Sequence, residues 1–373
     1  MQEATSAVQE PQLVQTPGAP SPRLLSLDVF RGITIAGMIL VNNPGSWSHI
    51  YPPLEHAAWH GWTPTDLVFP FFLFIVGVAM PYSFSRRLAQ GKKRSSLALH
   101  VVYRSLALFA LGMLLTGIPT FDYSHKLILD VLQRIGVIYL LSGLLYLYFR
   151  PLGQAIIAAA CLVIYWLLMF LVPVPGYGAG VFAPDGNVWQ YVDNLIIAGW
   201  HYHAEGVLSI IPSVSTVLLG ALTGFWLRLP DRNAYEKVTV LFVAGNVGLV
   251  IGLILDAWFP INKLLWSSSY VVFTAGFGLN LFGICYWLLD IKGIKGWAKP
   301  FVILGMNAIA VFFLSGLTAK LMGLWNLHGP LYQHLFASWL PDINASLAFA
   351  ICYVLFWLGV MTVFYRKRWF IKI

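Results

Sequence analysis

The chain has 373 residues, of which 58% are hydrophobic and 10% are charged, and its mean hydropathy is +0.74. A soluble globular protein carries roughly 25% charged residues, so this chain has too little polar surface for a water-soluble body. The net charge of +8 does not indicate nucleic-acid binding, because the basic residues lie in short loops between apolar runs, as the positive-inside rule requires. The composition predicts an integral membrane protein without a nucleic-acid partner.

Apolar runs long enough to cross a bilayer recur along the whole chain, and about 20 residues are needed for each crossing. Their hydropathy and the residues that interrupt them predict an all-α, polytopic membrane protein with about ten transmembrane helices. The predicted spans are 29–41, 65–84, 98–118, 127–149, 153–173, 207–227, 238–258, 268–289, 301–322 and 344–365.

Basic residues concentrate in every second loop. They are Arg86, Arg87, Lys92, Lys93 and Arg94, then Arg150, then Arg228, Arg232 and Lys237, then Lys292, Lys295 and Lys299, and finally Arg366, Lys367, Arg368 and Lys372. The alternate loops hold little beyond Lys126 and Lys263. With an even number of spans, this asymmetry predicts that both termini are cytoplasmic. Residues 1–22 lack the basic start and apolar core of a signal peptide. Because they are rich in Gln, Pro, Ala, Ser and Thr, we expect them to be a disordered polar cytoplasmic tail and 23–373 to be the membrane domain.

Ionisable residues at membrane depth are costly and are therefore candidates for a site. Asp28 and Arg31 stand three residues apart at the cytoplasmic end of the first span. They suit either a local ion pair that anchors this helix or, through Arg31, a contact with a phosphate entering from the cytoplasm. The sequence leaves both interpretations open.

Other polar residues of the predicted spans have structural explanations as well. Gln133 and Arg134 lie within the fourth span, and Asp130 or Asp66 would supply the arginine with an ionic partner. We favour such a structural pair over a ligand contact. Asp66 also suits a helix N-terminal cap, and Asn307 suits a hydrogen bond between helices.

Two histidines of the first non-cytoplasmic loop are spaced four residues apart. His56 and His60 would share a helix face as in a zinc site, but Gly61 and Pro64 interrupt a regular helix and no third ligand has fitting spacing. We therefore predict no metal. His56 suits a general base, because an imidazole titrates near neutrality, although an ordinary surface histidine is the alternative. His100, near the end of a span, is interpreted as an interface residue.

Several short motifs occur in a fixed order along the chain. They are Leu27-Asp28-Val29-Phe30-Arg31-Gly32, Val41-Asn42-Asn43, His56-Ala57-Ala58-Trp59-His60-Gly61, Asp66-Leu67-Val68-Phe69-Pro70, Val131-Leu132-Gln133-Arg134-Ile135, Glu205-Gly206, Asn262-Lys263-Leu264-Leu265-Trp266-Ser267 and Gly305-Met306-Asn307. Each is weak alone, but their order and spacing closely resemble the heparan-α-glucosaminide N-acetyltransferase family and its bacterial relatives. The resemblance covers nearly all of the chain after residue 23.

The resemblance implies a transmembrane acyltransferase that uses cytosolic acetyl-CoA to acetylate the amine of a terminal glucosamine across the membrane. The catalytic histidine of the family falls on His56 and its helper asparagine on Asn42, while Asp66 would orient the imidazole. The short polar tail stands where the lysosomal enzyme has a lumenal domain. Free amino sugars or wall fragments of a bacterium are therefore the expected acceptors, and the bacterial inner membrane is the expected location.

The predicted site has three parts. The catalytic residues are His56, Asn42 and Asp66; the donor-binding residues are Arg31, Asp28, Gln133, Arg134 and Asn307; and the acceptor-binding residues are Trp59, His60, Glu205, Asn262 and Lys263. The co-substrate is acetyl-CoA, without a metal. The partners are an amino-sugar acceptor and membrane lipid, and the sequence leaves a homodimer open.

Two other functions fit parts of the sequence. A sugar permease would explain the helices, the intramembrane Arg134 and a polar outer vestibule, but it does not need His56 beside Asn42. Polysaccharide O-acetylation would keep the acyl transfer and change the acceptor to a hydroxyl group. The sequence also leaves open whether an acetyl-histidine forms or both substrates bind together, since both routes use the same residues.

Overall fold

The computed structural model describes residues 24–121, 123, 129–196 and 206–371, and these are predominantly helical. The predicted tail, 1–22, lies outside the described residues. The helices are α1 Leu25–Asn42, α2 Val68–Ala89, α3 Arg94–Gly117, α4 Val131–Tyr148, α5 Pro151–Leu171, α6 Val188–Ile196, α7 Ile210–Leu227, α8 Ala234–Asp256, α9 Ser268–Tyr286, α10 Lys299–Met306, α11 Ala308–Leu324, α12 His328–Tyr332 and α13 Asp342–Arg366. The described ranges contain no β-strand beyond an isolated bridge between Val174 and Gly178.

Nine helical segments in the described part of the chain are long and apolar enough to cross a membrane, and α10 with α11 forms a further, bent pair. Each predicted span has a counterpart among these, so the prediction of an all-α polytopic membrane protein is confirmed. The ninth predicted span, 301–322, differs from a continuous helix because it bends by 81° between α10 and α11. The break falls at Asn307, whose backbone leaves the helical region at φ −122° and ψ 36°.

The backbones of helices α2 and α7 approach each other very closely where the two helices cross. A Cβ added to Gly77 would lie 2.0 Å from the carbonyl oxygen of Val217, and one added to Gly220 would lie 2.0 Å from that of Phe74. Small residues permit such close backbone approach, which is how helices associate where lipid offers no hydrophobic driving force. The crossing fixes α2, which carries polar residues at both of its ends.

Substitution at this crossing is expected to destabilise the fold. Gly220→Ala should cost about 1–3 kcal/mol, because the added methyl group has no room and the backbones must separate. The apparent melting temperature in detergent measures this. Gly359→Ala is the matched control, since Gly359 lies within α13 with no atom within 4 Å of an added Cβ. Equal melting temperatures for the two variants would contradict the proposed role of the crossing.

Helix α1 is held against α10 in the same way. An added Cβ at Gly32 would lie 1.8 Å from the carbonyl oxygen of Phe301, and one at Gly305 would lie 2.2 Å from that of Asp28. The N-terminus of α1 is capped by Asp290, whose carboxylate accepts from the backbone N–H groups of Leu25 and Ser26 at 3.3 and 3.1 Å. These contacts place Arg31 beside the break between α10 and α11.

Candidate active site

The segment between α1 and α2 places the imidazole of His56 beside the carboxylate of Asp66. His56 Nδ1 lies 2.6 Å from Asp66 Oδ1. The other carboxylate oxygen, Oδ2, accepts from the backbone N–H groups of Ala57 and Thr63, both at 3.0 Å, and from the Thr63 hydroxyl at 3.2 Å. Asp66 is 1% exposed, so this buried carboxylate is fully hydrogen-bonded and rigidly placed. It is the predicted helix cap and also a partner for the imidazole.

This contact determines which nitrogen of His56 is basic. The carboxylate can only accept, so Nδ1 carries the proton and donates it to Asp66 Oδ1. The other ring nitrogen, Nε2, then keeps its lone pair, as a general base requires. The His56 side chain is 48% exposed, which leaves this nitrogen accessible to a ligand.

Lys263 is the third member of the cluster. Its Nζ lies 3.2 Å from His56 Nδ1, 3.3 Å from His56 Nε2 and 3.9 Å from Asp66 Oδ1. Because Nζ is almost equidistant from the two ring nitrogens, the ammonium lies over the imidazole and leaves the in-plane lone pair of Nε2 open. The site consists of a carboxylate, an imidazole and an ammonium within 4 Å of one another.

Asn262 positions this lysine. Its side chain is fully buried; the amide nitrogen donates to the Trp59 carbonyl oxygen at 2.8 Å, and the amide oxygen accepts from the Leu265 N–H at 2.8 Å. A backbone hydrogen bond of 2.8 Å from Gly61 to Ile261 runs beside it. The loop that carries Lys263 is therefore fastened to the loop that carries His56.

The predicted acceptor residues Trp59 and His60 flank the cluster. The Trp59 indole donates to the Phe182 carbonyl oxygen at 2.8 Å, and His60 Nδ1 lies 3.5 Å from the Asn262 amide nitrogen. Burial lowers the pKa of His60, and the charge of Asp256 only partly opposes this, so His60 is neutral at pH 7. Glu205, the remaining predicted acceptor residue, lies outside the described residues.

Asn42 stands at the end of α1 with an exposed side chain. Its side chain makes no hydrogen bond to any residue in the described ranges, whereas the side chain of its neighbour Asn43 donates to the Ile39 carbonyl oxygen at 2.8 Å. The structure therefore does not join Asn42 to His56 directly. Its amide is available to a ligand at the extracytoplasmic end predicted for α1.

A cavity of about 330 Å³ opens among the helices at the opposite end of the bundle. It is lined by Arg31, Phe72, Val76, Ala79, Met80, Ser83, Phe84, Arg87, His100, Arg104, Leu108, Ile135, Tyr139, Gly305, Met306, Ala308, Ile309 and Ile371. Three arginines, Arg31, Arg87 and Arg104, make it basic. The Arg104 guanidinium lies over the Tyr139 ring at 4.9 Å, a cation–π contact that orients its remaining donors.

Of the five predicted donor-binding residues, Arg31 lines this cavity. Asp28 lies behind it, with an ion-pair distance of 3.5 Å to Arg31. Asn307 lies between two lining residues, Met306 and Ala308, but its side chain is directed at the segment after α13.

Gln133 and Arg134 lie away from the cavity and bridge helices. The Gln133 amide donates to the Thr116 hydroxyl on α3 at 3.1 Å. The Arg134 guanidinium donates to the Ser213 hydroxyl on α7 at 3.0 Å and lies 4.9 Å from the centre of the Trp266 ring. Asp130, one of the two ionic partners predicted for Arg134, caps α4 by accepting from the Val131 N–H at 2.7 Å.

Three basic side chains of the cavity were not predicted from the sequence as site residues. Arg104 lies inside a predicted span, 98–118, and is therefore an ionisable residue at membrane depth, but its apolar neighbours concealed it. Arg87 was counted among loop charges, and His100 was interpreted as an interface residue. The criterion of intramembrane charge would have identified Arg104.

The two sites occupy opposite ends of α2. Arg87 follows Asp66 by 21 positions, which corresponds to about 30 Å at the helical rise per residue. The cavity ends at Phe72, six positions beyond Asp66, or about 9 Å along the same axis. Buried Phe69 lies between them, with its ring edge against Trp266 at a centroid distance of 5.3 Å. A ligand spanning both sites would follow α2.

No cluster of three or more His, Cys, Asp or Glu side chains within the described ranges is arranged to hold a metal ion. His56 and His60, the pair considered for zinc, face different partners, namely Asp66 and Asn262.

The fold and the two sites define a multi-pass membrane protein with a histidine-based polar cluster at one end and a basic cavity at the other. A family model described as "Heparan-alpha-glucosaminide N-acetyltransferase, catalytic" matches residues 23–256. The chain belongs to this family, which confirms the resemblance of its motifs.

Two relatives bear the name heparan-alpha-glucosaminide N-acetyltransferase. The one from Homo sapiens is 29% identical over 354 residues, which cover 78% of this chain and 52% of the relative. The one from Mus musculus is 28% identical over 359 residues, which cover 80% of this chain and 54% of the relative. The chain thus spans about half the length of the curated relatives it matches.

Proposed function

We propose that this chain is a transmembrane N-acetyltransferase that moves an acetyl group from cytoplasmic acetyl-CoA to the amine of a glucosamine-type sugar. The acceptor binds on the extracytoplasmic side of a bacterial inner membrane, and both termini are cytoplasmic. The observation that carries the proposal is the His56–Asp66–Lys263 cluster, because it places a basic imidazole nitrogen next to a cation on an accessible surface. Membership of the N-acetyltransferase family supports the reaction class.

The basic cavity is the proposed donor site. Coenzyme A carries three phosphate groups, and arginine guanidinium groups match phosphates in charge and in bidentate geometry. Arg31, Arg87 and Arg104 surround the cavity at the end that the loop charges predict to be cytoplasmic. From Arg31 to Asn42, α1 rises about 16 Å, which the extended pantetheine arm has to cover to bring the thioester to His56.

The reaction assigns a role to each member of the cluster. His56 Nε2 takes a proton from the acceptor amine as the nitrogen bonds to the thioester carbonyl carbon. When the carbon–sulfur bond breaks, His56 returns that proton to the departing thiolate. Asp66 holds the Nδ1 proton throughout and stabilises the imidazolium. Lys263 and the amide of Asn42 donate to the carbonyl oxygen as it becomes negative.

Purified protein with radiolabelled acetyl-CoA and glucosamine tests the function. Labelled N-acetylglucosamine is the expected product, and its resistance to hydroxylamine distinguishes the amide from an O-acetyl ester. Failure to transfer the label to any amino sugar would overturn the proposal. Movement of unmodified sugar into vesicles without acetyl-CoA would identify a permease instead.

Substitution of Arg104 tests the donor site. Arg104→Gln is expected to raise the KM for acetyl-CoA by about 10- to 100-fold, because a charge-assisted hydrogen bond to phosphate is lost. The kcat at saturating donor should change little, since the contact is equal in the ground and transition states. Steady-state kinetics with varied donor measure this. Arg150→Gln is the matched control at an exposed arginine outside the cavity, and equal KM values for the two variants would exclude Arg104 from the donor site.

A further inference from the structure

The residues that follow α13 return to the cavity. Residues 369–371, which we call the strap, have no regular secondary structure, yet Ile371 is one of the residues that line the cavity. The Trp369 ring packs edge-on against Phe364 of α13, with 5.5 Å between ring centres, and the Trp369 N–H donates to the Phe364 carbonyl oxygen at 2.9 Å. The strap is therefore folded back onto the bundle.

Asn307 is the residue that receives the strap. Its amide nitrogen donates to the Trp369 carbonyl oxygen at 3.2 Å, and its amide oxygen accepts from the Ile371 N–H at 3.0 Å. The side chain is 2% exposed, so both halves of the amide are used by a backbone more than 60 positions away. The Asn307 amide thus satisfies one carbonyl group and one N–H group of the strap backbone, which has no helix or sheet partners for them.

The position of Asn307 connects the strap to the donor site. It forms the break between α10 and α11, and the residues around that break, Gly305, Met306, Ala308 and Ile309, all line the cavity. Gly305 also packs against α1 beside Asp28, the ionic partner of Arg31. The strap, the break between α10 and α11, and Arg31 therefore lie along the same wall of the cavity.

We propose that the strap is a wall of the donor site and that Asn307 is the positioning residue that holds it there. The inference rests on the proposed acetyl-CoA function. With the strap in place the cavity is more enclosed, and enclosure strengthens the attraction between its arginines and a phosphate. Asn307 acts on the donor through Ile371 and not by direct contact.

The test measures CoA binding to the purified full-length protein in detergent by titration calorimetry. Asn307→Ala removes both hydrogen bonds. Ile371→Pro removes only the backbone N–H group that donates to the Asn307 amide oxygen. Each is expected to raise the Kd for CoA by about tenfold. Ile371→Ala keeps the N–H and should weaken binding less than Ile371→Pro. Asn344→Ala is the matched control, because Asn344 accepts from Tyr51 across two segments that do not line the cavity.

The double variant decides whether the two residues act through one contact. Asn307→Ala combined with Ile371→Pro should bind CoA no more weakly than Asn307→Ala alone, since the second substitution removes a bond already lost. If the fold increases in the Kd for CoA of the two single variants multiply in the double variant, the inference is overturned. An unchanged Kd in the single variants would overturn it as well. If Arg104→Gln weakens CoA binding while the strap variants do not, only the strap inference fails; if the wild type binds no CoA, the proposed function fails with it.

The kinetic constants separate this role from a general loss of folding. Asn307→Ala should raise the KM for acetyl-CoA and leave the KM for the sugar unchanged, because the acceptor binds at the other end of α2. A parallel rise in both constants, together with a lowered apparent melting temperature, would show a structural role instead.

Discussion

His56→Ala is expected to lower kcat for acetyl transfer by about 10²–10⁴-fold, the usual contribution of a general base. The imidazole is half exposed, so its removal should leave the fold intact. The rate is measured with labelled acetyl-CoA at saturating donor and acceptor. The apparent melting temperature should stay within a few degrees of the wild-type value.

The chain offers a matched control for this variant. His49 lies in the same loop, and its Nε2 stands 3.6 Å from the carboxylate of Asp342, with both side chains largely exposed. It therefore reproduces a histidine–aspartate pair without Lys263 and without a buried carboxylate. His49→Ala should retain wild-type activity. Comparable losses in the two variants would show that no special role belongs to His56.

Asp66→Asn is the second substitution with a large expected effect. The new amide can still accept from Ala57 and Thr63 through its oxygen, but it then presents an N–H₂ group to His56. Nδ1 must become the acceptor, and the ring proton moves to Nε2, where it blocks base catalysis. In the serine-protease triad the same change lowers kcat by about 10⁴-fold through this tautomer, and we expect a loss of about 10²–10⁴-fold here.

Two measurements distinguish this effect from damage to the fold. The Asp66→Asn protein should bind CoA with the wild-type Kd, because Asp66 does not line the donor cavity and Arg87, one of its arginines, lies about 30 Å away along α2. Asp342→Asn, at the partner of His49, should keep full activity. An active Asp66→Asn enzyme, with kcat within threefold of the wild type, would disprove the orienting role of this carboxylate.

The sequence predicted the membrane spans well because hydrocarbon thickness sets their length and leaves few alternatives. It also predicted His56 with Asp66, since the motif and the chemistry agreed on both. Lys263 was predicted to bind the acceptor. Its contact with the His56 ring was not predicted, because it depends on the hydrogen bonds by which Asn262 joins two loops about 200 positions apart in the sequence. No local pattern encodes such a distance.

The misses have a common physical origin. Arg104 was concealed by the apolar residues around it, although a half-buried guanidinium needs a partner and finds one in the face of Tyr139. The break at Asn307 was missed because the hydropathy of 301–322 is continuous; the break is stabilised by hydrogen bonds to Trp369 and Ile371, which lie far along the chain. Tertiary contacts decided both features.

The buried rings of Phe69 and Trp266, at the level where the cavity ends, have a consequence for the cell. A protein that admits a highly charged nucleotide from one face and a sugar from the other risks becoming a leak for protons and ions. Under the proposed function, the packing of these buried rings would keep continuous water from joining the cavity to the His56 cluster. Only the acyl-carrying arm of the donor would then cross that layer. Such packing would preserve the electrochemical gradient of the membrane between turnovers.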